Sequence, residues 1–163
     1  MAEIINNYLS PTNFTISIER LPNVEFFTQK ASVPSLSATA ITMGAPTNPF
    51  YEVQQQMSYG DLDLTFIVDE NMNNYQEVLL WMEGISGVES TNQTKSLLAG
   101  SGFKSDIILT ITNSHKNPHV QFTFQDCFPT SLGAISLDVN VQDVAYATCN
   151  VTMRYNLFKM VQL

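Results

Sequence analysis

The chain has 163 residues, of which 44% are hydrophobic, so its length favours a single domain with one packed core. Only 13% of the residues are charged, and 15 acidic against 7 basic residues give a net charge of −8. This balance argues against binding to nucleic-acid phosphates, which relies on clusters of Lys and Arg. A weakly charged surface instead favours association with other proteins.

The first eight residues contain neither a basic segment nor the apolar core of a secretion signal, so we expect synthesis and folding in the cytoplasm. No apolar run approaches the roughly 20 residues of a membrane span. The two cysteines, Cys127 and Cys149, lie in strand-like stretches, which favours buried free thiols. A disulfide between them is the less favoured alternative.

Alternation of apolar and polar residues predicts a mainly β, antiparallel protein. The first predicted strand covers 13–19, and after a turn we expect a partner strand over 24–31, which would make an opening hairpin. Further strands are predicted over 61–68, 106–112, 120–124, 135–139 and 144–158, the last being one long strand. Such a set of strands favours a β-sandwich or barrel, because both architectures protect exposed strand edges.

The segment 32–60 differs from the rest because prolines and glycines interrupt two short β-like pieces, 38–43 and 50–57. A long segment with weak amphipathicity is uncommon inside a compact domain, and an isolated two-stranded ribbon is only marginally stable. We therefore expect one domain over 1–163 with an extended β-ribbon at about 32–60 that a neighbouring subunit completes.

One window has helical rather than strand periodicity. Its apolar residues predict a single amphipathic α-helix, roughly 73–84, packed on the sheet, with Trp81 as a packing anchor. Asn74 and Glu77 have the spacing of a capping pair, and two glycines end the helix. The polar segment 86–105 is expected to be a surface loop.

Residues that could perform chemistry are few and scattered. His115 and His119 flank a predicted turn, where a role as polar turn residues is favoured over a metal site. The carboxylates are spread out, and neither a glycine-rich phosphate loop nor a nucleophile motif is present. The sequence therefore predicts no catalytic, cofactor-binding or metal site, and we expect that the chain is not an enzyme.

Three segments in a fixed order carry a family resemblance. They are Val24-Glu-Phe-Phe-Thr-Gln-Lys-Ala-Ser32 followed by Pro34, the strand Leu62–Glu70 running into the Trp-bearing helix, and Phe122–Thr130 followed by the long final strand. In this order they resemble the tail tube proteins of contractile-tailed phages and the related baseplate proteins that start the tube. The resemblance covers nearly the whole chain.

The resemblance implies subunits that form hexameric rings, which stack into a hollow tube through which the genome passes without specific binding. It also implies a place in the virion tail, with the sheath, baseplate hub and tail terminator as partners. The ribbon would contact the neighbouring ring through Met43, Phe50, Tyr51, Val53, Gln55, Met57 and Tyr59. Because negative charge repels phosphate, Glu52, Asp138 and Asp143 are candidate acids of the lumen.

Two alternatives remain open at this point. The first is a baseplate protein that initiates the tube and occurs in a single ring. The second is a carbohydrate-binding β-sandwich, for which Phe50, Tyr51 and Tyr59 could provide an aromatic platform.

Overall fold

The computed structural model describes residues 8–43, 50–87, 92, 94, 95, 98, 102–138 and 146–163, with backbone alone at 41–43, 50 and 53–55. The predicted mainly β, antiparallel fold is confirmed. The helices are α1 (Pro22–Phe27) and α2 (Asn73–Ser86). The strands are β1 (Phe14–Ile18), β2 (Thr28–Ala31), β3 (Leu36–Met43), β4 (Phe50–Tyr59), β5 (Leu62–Ile67), β6 (Ser105–Thr112), β7 (Pro118–Leu132), β8 (Thr148–Arg154) and β9 (Leu157–Gln162). In the described part of the chain, neither helix is long and apolar enough to cross a membrane.

Seven strands form one antiparallel sheet that folds over on itself at β7. The first half of β7 pairs with β6 and β9, and β6 in turn pairs with β1; we call this four-stranded layer sheet 1. The second half of β7 pairs with β8, which pairs with β5 and then β2; we call this layer sheet 2. The arrangement is sandwich-like, and the described strands leave open edges where a barrel would be closed.

The corner between the two sheets lies at Asp126 and Asn156. Asp126 has a positive φ of 60°, and the Asn156 side chain donates a hydrogen bond of 2.7 Å to its carboxylate. Strands that pass from one sheet to the other bend at such irregular positions. The predicted single strand over 144–158 is wrong for this reason: β8 ends at Arg154, and β9 begins beyond the corner at Leu157.

Two other predicted strands are also wrong. The segment 24–31 contains α1 before the short strand β2, and β2 pairs with β5, so the opening hairpin does not form. The Glu25 carboxylate accepts a hydrogen bond of 2.7 Å from the backbone N–H of Ile18, which holds α1 against the end of β1. Residues 135–138 have no regular structure, and 139–145 lie outside the described residues.

The core lies between the two sheets and under α2. It includes Ile18, Phe66, Phe124 and Val151, each fully buried, and both cysteines. Cys127 and Cys149 are free and buried, as predicted. Burial of these large apolar side chains is the main force that holds the two layers together.

Helix α2 confirms the predicted amphipathic helix and the anchoring role of Trp81, which is 2% exposed. The Trp81 indole N–H donates to the Phe103 carbonyl over 3.0 Å. The predicted capping pair is wrong, because the Asn74 side chain is buried and bridges the strand to the helix. It donates to the Ile67 carbonyl over 2.7 Å and accepts from the Asp69 N–H over 3.3 Å. Gly87 ends the helix in the left-handed conformation, which favours glycine.

The predicted loop over 86–105 is not irregular throughout, because Asn92, Thr94, Lys95 and Leu98 have helical backbone. The predicted turn that contains His115 is present. There the Asn113 carboxamide oxygen accepts hydrogen bonds from the N–H groups of His115 and Asn117, which is the local stabilisation of an Asx-type turn.

Candidate assembly surface

Strands β3 and β4 form a separate two-stranded sheet, which we call the ribbon. It is antiparallel, with Leu36 opposite Tyr59 at its base and Met43 opposite Phe50 at its far end. At about 3.3 Å per residue its shorter strand extends over roughly 25 Å. Neither strand joins the larger sheet in the described part of the chain, so its outer backbone groups are available to another molecule.

The ribbon continues the edge of sheet 2. After the last β2–β5 pair, the Ser32 N–H donates to the Asp63 carbonyl over 3.0 Å, and the Gly60 N–H then donates to Ser35 over 2.8 Å. At Gly60 an added Cβ would lie 2.7 Å from the Ser35 hydroxyl oxygen, so the two segments of the chain approach too closely here for a side chain on residue 60. The ribbon is therefore tied to the edge strand β2 and its neighbour β5.

Aromatic rings anchor the base of the ribbon. The Tyr59 ring packs edge-on against Tyr155 and Phe158, with centroid separations of 6.2 and 5.7 Å. Tyr155 also contacts Phe124 in the core, over 5.1 Å between centroids. Edge-to-face pairs at these distances are favourable beyond the area that they bury. The base is thus fixed to the core, although the rest of the ribbon is not.

The structure places the seven predicted contact residues on the ribbon or its ends. Tyr51 is 70% exposed and Met57 is 53% exposed, which is unusual for such large apolar side chains. Tyr59 differs, because it is half-buried in the aromatic anchor. For Met43, Phe50, Val53 and Gln55 the backbone alone is described: Met43 pairs with Phe50, and Val53 pairs with Ala40.

The predicted lumen acids lie on different parts of the chain. Glu52 is exposed on the ribbon opposite Ile41. Asp138 is exposed in the irregular segment that follows β7, and Asp143 lies outside the described residues.

Sequence reasoning missed the exposed edge strand β9. Its residues Leu157, Met160 and Val161 are 37%, 56% and 49% exposed. Leu157 fell within the long strand predicted over 144–158, whereas Met160 and Val161 lay beyond its predicted end. Only Asn156, a polar residue at the corner, marked the break. An apolar edge strand of this kind is a surface on which proteins associate.

The outward face of sheet 2 is polar and hydrogen-bonded within itself. The Thr152 hydroxyl donates to the Asp63 carboxylate over 2.8 Å, and the Thr130 hydroxyl donates to the Thr152 carbonyl over 3.1 Å. The Thr65 hydroxyl lies 3.5 Å from the Asn150 carboxamide oxygen. These short polar side chains, which include the Asp63 carboxylate, present little apolar area to whatever lies in front of the sheet.

The described residues were also compared with the requirements of a metal site and of a reactive thiol. They contain no group of three or more His, Cys, Asp or Glu side chains placed to hold a metal ion. Burial, with the nearby Asp106 carboxylate as a second cause, raises the pKa of the Cys127 thiol to about 12. A thiol that stays protonated is a poor nucleophile.

A mainly β chain whose described strands leave open sheet edges and a projecting ribbon has the architecture of a self-assembling structural protein. The comparisons with known proteins agree. The family model described as "Phage tail tube protein" matches residues 3–161. The chain therefore belongs to the phage tail tube protein family, and the predicted resemblance to that family is confirmed.

The individual proteins and structures that match share only low sequence identity with this chain. A tail tube protein of Serratia phage KSP90 is 27% identical over 94 residues, which cover 58% of this chain and 51%, or about half, of the relative. The tube terminating cap of the anti-feeding prophage matches 100% of this chain and 97% of its own, with a TM-score of 0.68 and 17% identity. The match with a chain of the PVC sheath-tube complex covers 98% of this chain and 95% of the other, with a TM-score of 0.67 and 17% identity. These structures establish the fold. The family assignment favours the tail tube prediction over the carbohydrate-binding alternative.

Proposed function

We propose that this chain forms hexameric rings that stack into the tube of a contractile phage tail, and that the genome passes through this tube during ejection. The observation that supports the proposal most is the combination of the family fold with open sheet edges and a projecting ribbon. The subunit would be made in the host cytoplasm and would reside in the virion tail, in contact with sheath, baseplate hub and tail terminator proteins.

The strand order of sheet 2 supports closure into a ring. Its four strands alternate in direction from β7 to β2, so β2 of one copy would lie antiparallel to the β7 residues 128–132 of the next copy. Copies related by rotation can repeat this junction until the ring closes. We favour sheet 2 over sheet 1 because the ribbon emerges directly from its β2–β5 edge.

In such a ring the outward face of sheet 2 would line the channel. Its threonine and asparagine side chains would give the passing DNA a polar, hydrated wall, on which Asp63 and Lys30 carry opposite charges. The net charge of −8 adds a weak repulsion of phosphate. Glu52, Asp138 and Asp143 remain our proposed acids of the lumen.

Deletion of residues 45–58 tests the role of the ribbon. Because the base is anchored by Tyr59, which the deletion retains, we expect a folded monomer that keeps the near-ultraviolet signal of the buried Trp81 but no longer forms tubes. Negative-stain microscopy and sedimentation measure the outcome. A matched control replaces the exposed Leu80 on α2 with Ala, which should leave the tubes intact. Normal tubes from the deletion variant would contradict a role for the ribbon in contact between subunits.

The baseplate initiator remains the second candidate, because a chain of the anti-feeding prophage baseplate has the same fold, with a TM-score of 0.66 and 14% identity over 97% of this chain. Copy number separates the two. Densitometry of purified particles should give many rings of this subunit for a tube protein, whereas six copies would assign it to the initiator.

A further inference from the structure

A cavity of about 390 Å³ lies at the base of the ribbon. Residues 56–59 of β4 form one side, and Arg154 and Tyr155, at the end of β8, form the other. The cavity therefore joins the anchored core to the ribbon, next to the surface that we assign to contacts between subunits.

The Tyr155 hydroxyl is the first unusual feature of this cavity. The residue is only 8% exposed, and within the described residues its hydroxyl has no hydrogen-bond partner. Buried hydroxyl groups are normally paired, and an unpaired one opposes folding. Burial, followed by the nearby Asp61 carboxylate, raises the pKa of Tyr155, so the hydroxyl keeps its proton and can donate.

Arg154 is the second feature. Its Nε lies 2.5 Å from the Asp61 carboxylate, with which it forms an ion pair. The side chain is 58% exposed, so its terminal nitrogens can reach a further acceptor. A guanidinium group presents several donors in a plane and binds carboxylates particularly well.

We propose that this cavity receives a carboxylate from a second copy of the chain, which the Tyr155 hydroxyl and the Arg154 guanidinium bind together. The inference rests on the proposed function as a tube subunit. Two observations select a second copy: the cavity is continuous with the ribbon, and the chain has 15 acidic residues against 7 basic ones. The bound oxygen would give the buried hydroxyl the acceptor that the single subunit lacks.

Tyr155→Phe in the full chain removes only the hydroxyl oxygen. Because that oxygen is unpaired in the single subunit, the melting temperature of the monomer should be unchanged or slightly higher. The critical concentration for tube formation, measured by sedimentation, should rise about 10- to 100-fold, as expected for one lost hydrogen bond to a charged group. The matched control is Tyr75→Phe on α2, which lies outside the cavity and should assemble like the wild type.

Arg154→Lys gives an independent test, because it keeps the positive charge beside Asp61 and removes the planar set of donors. This variant should also raise the critical concentration for tube formation. If Tyr155→Phe lowers the melting temperature of the monomer, Arg154→Lys becomes the variant that tests carboxylate binding. If the wild type forms tubes and both variants form them at the same concentration, the cavity receives no carboxylate while the proposed function stands. If the wild type itself forms no tubes, the proposed function fails, and this inference fails with it.

Discussion

At the scale of single residues, burial determines what the polar groups can do. Cys127, Cys149 and Tyr155 are enclosed by the core, and burial raises the pKa of all three. Asn74 is fully buried and keeps its place by bridging the strand β5 to α2 through hydrogen bonds. The sequence predicted the buried thiols, because small apolar-like residues in strands usually face a core. It could not predict the role of Asn74, since that depends on the strand behind the helix.

The thiols give a prediction about pH. Because the pKa of Cys127 rises from 9.0 to about 12 on folding, the folded state favours the protonated thiol. The resulting stabilisation is complete below pH 9 and is lost as the pH rises toward 12. Denaturant titrations should therefore show a free energy of unfolding that falls over this range, with a smaller slope in Cys127→Ala.

The burial of the two thiols gives a second prediction. In the native protein both thiols should resist a thiol reagent at pH 8. Rapid labelling of the folded chain would show that they are accessible and would contradict their burial.

At the scale of the elements, local sequence predicted α2, β1 and β5 well and predicted the second and the last strands poorly. The pattern over 24–31 is compatible with a strand, yet α1 forms because Pro22 suits a helix N-terminus and Glu25 binds the end of β1. Similarly, alternation continues through 144–158, and only the pairing with β7 reveals the corner at Asn156. Tertiary contacts decided the outcome in both segments.

Helix α2 provides a test of packing. The Trp81 indole lies between the core and Arg20, whose guanidinium carbon is 4.8 Å from the ring centroid. Trp81→Ala should therefore lower the free energy of unfolding by about 3–5 kcal/mol, the usual cost of removing a large buried aromatic side chain. The adjacent Leu80, 54% exposed, is the control, and Leu80→Ala should cost less than about 1 kcal/mol. Equal losses for the two variants in denaturant titrations would show that α2 does not pack through Trp81.

At the scale of the whole molecule, assembly gives a physical reason for features that a monomer would avoid. A long ribbon outside the main sheet, an apolar edge at β9 and open edges at β2 all expose groups that natural monomers protect. The composition of the segment 32–60, and the prolines and glycines that interrupt it, were enough to predict a ribbon there, because both indicate that the segment is only weakly amphipathic. The partner edges and the cavity at Arg154 were beyond prediction, since they arise only when distant strands pair.

The most direct test of the central claim is electron microscopy of the purified full-length chain, concentrated in a buffer of moderate ionic strength. The proposed function predicts hollow tubes whose end-on averages show six subunits around a central channel. Dispersed monomers at every concentration, or closed rings of another symmetry that do not stack, would contradict it.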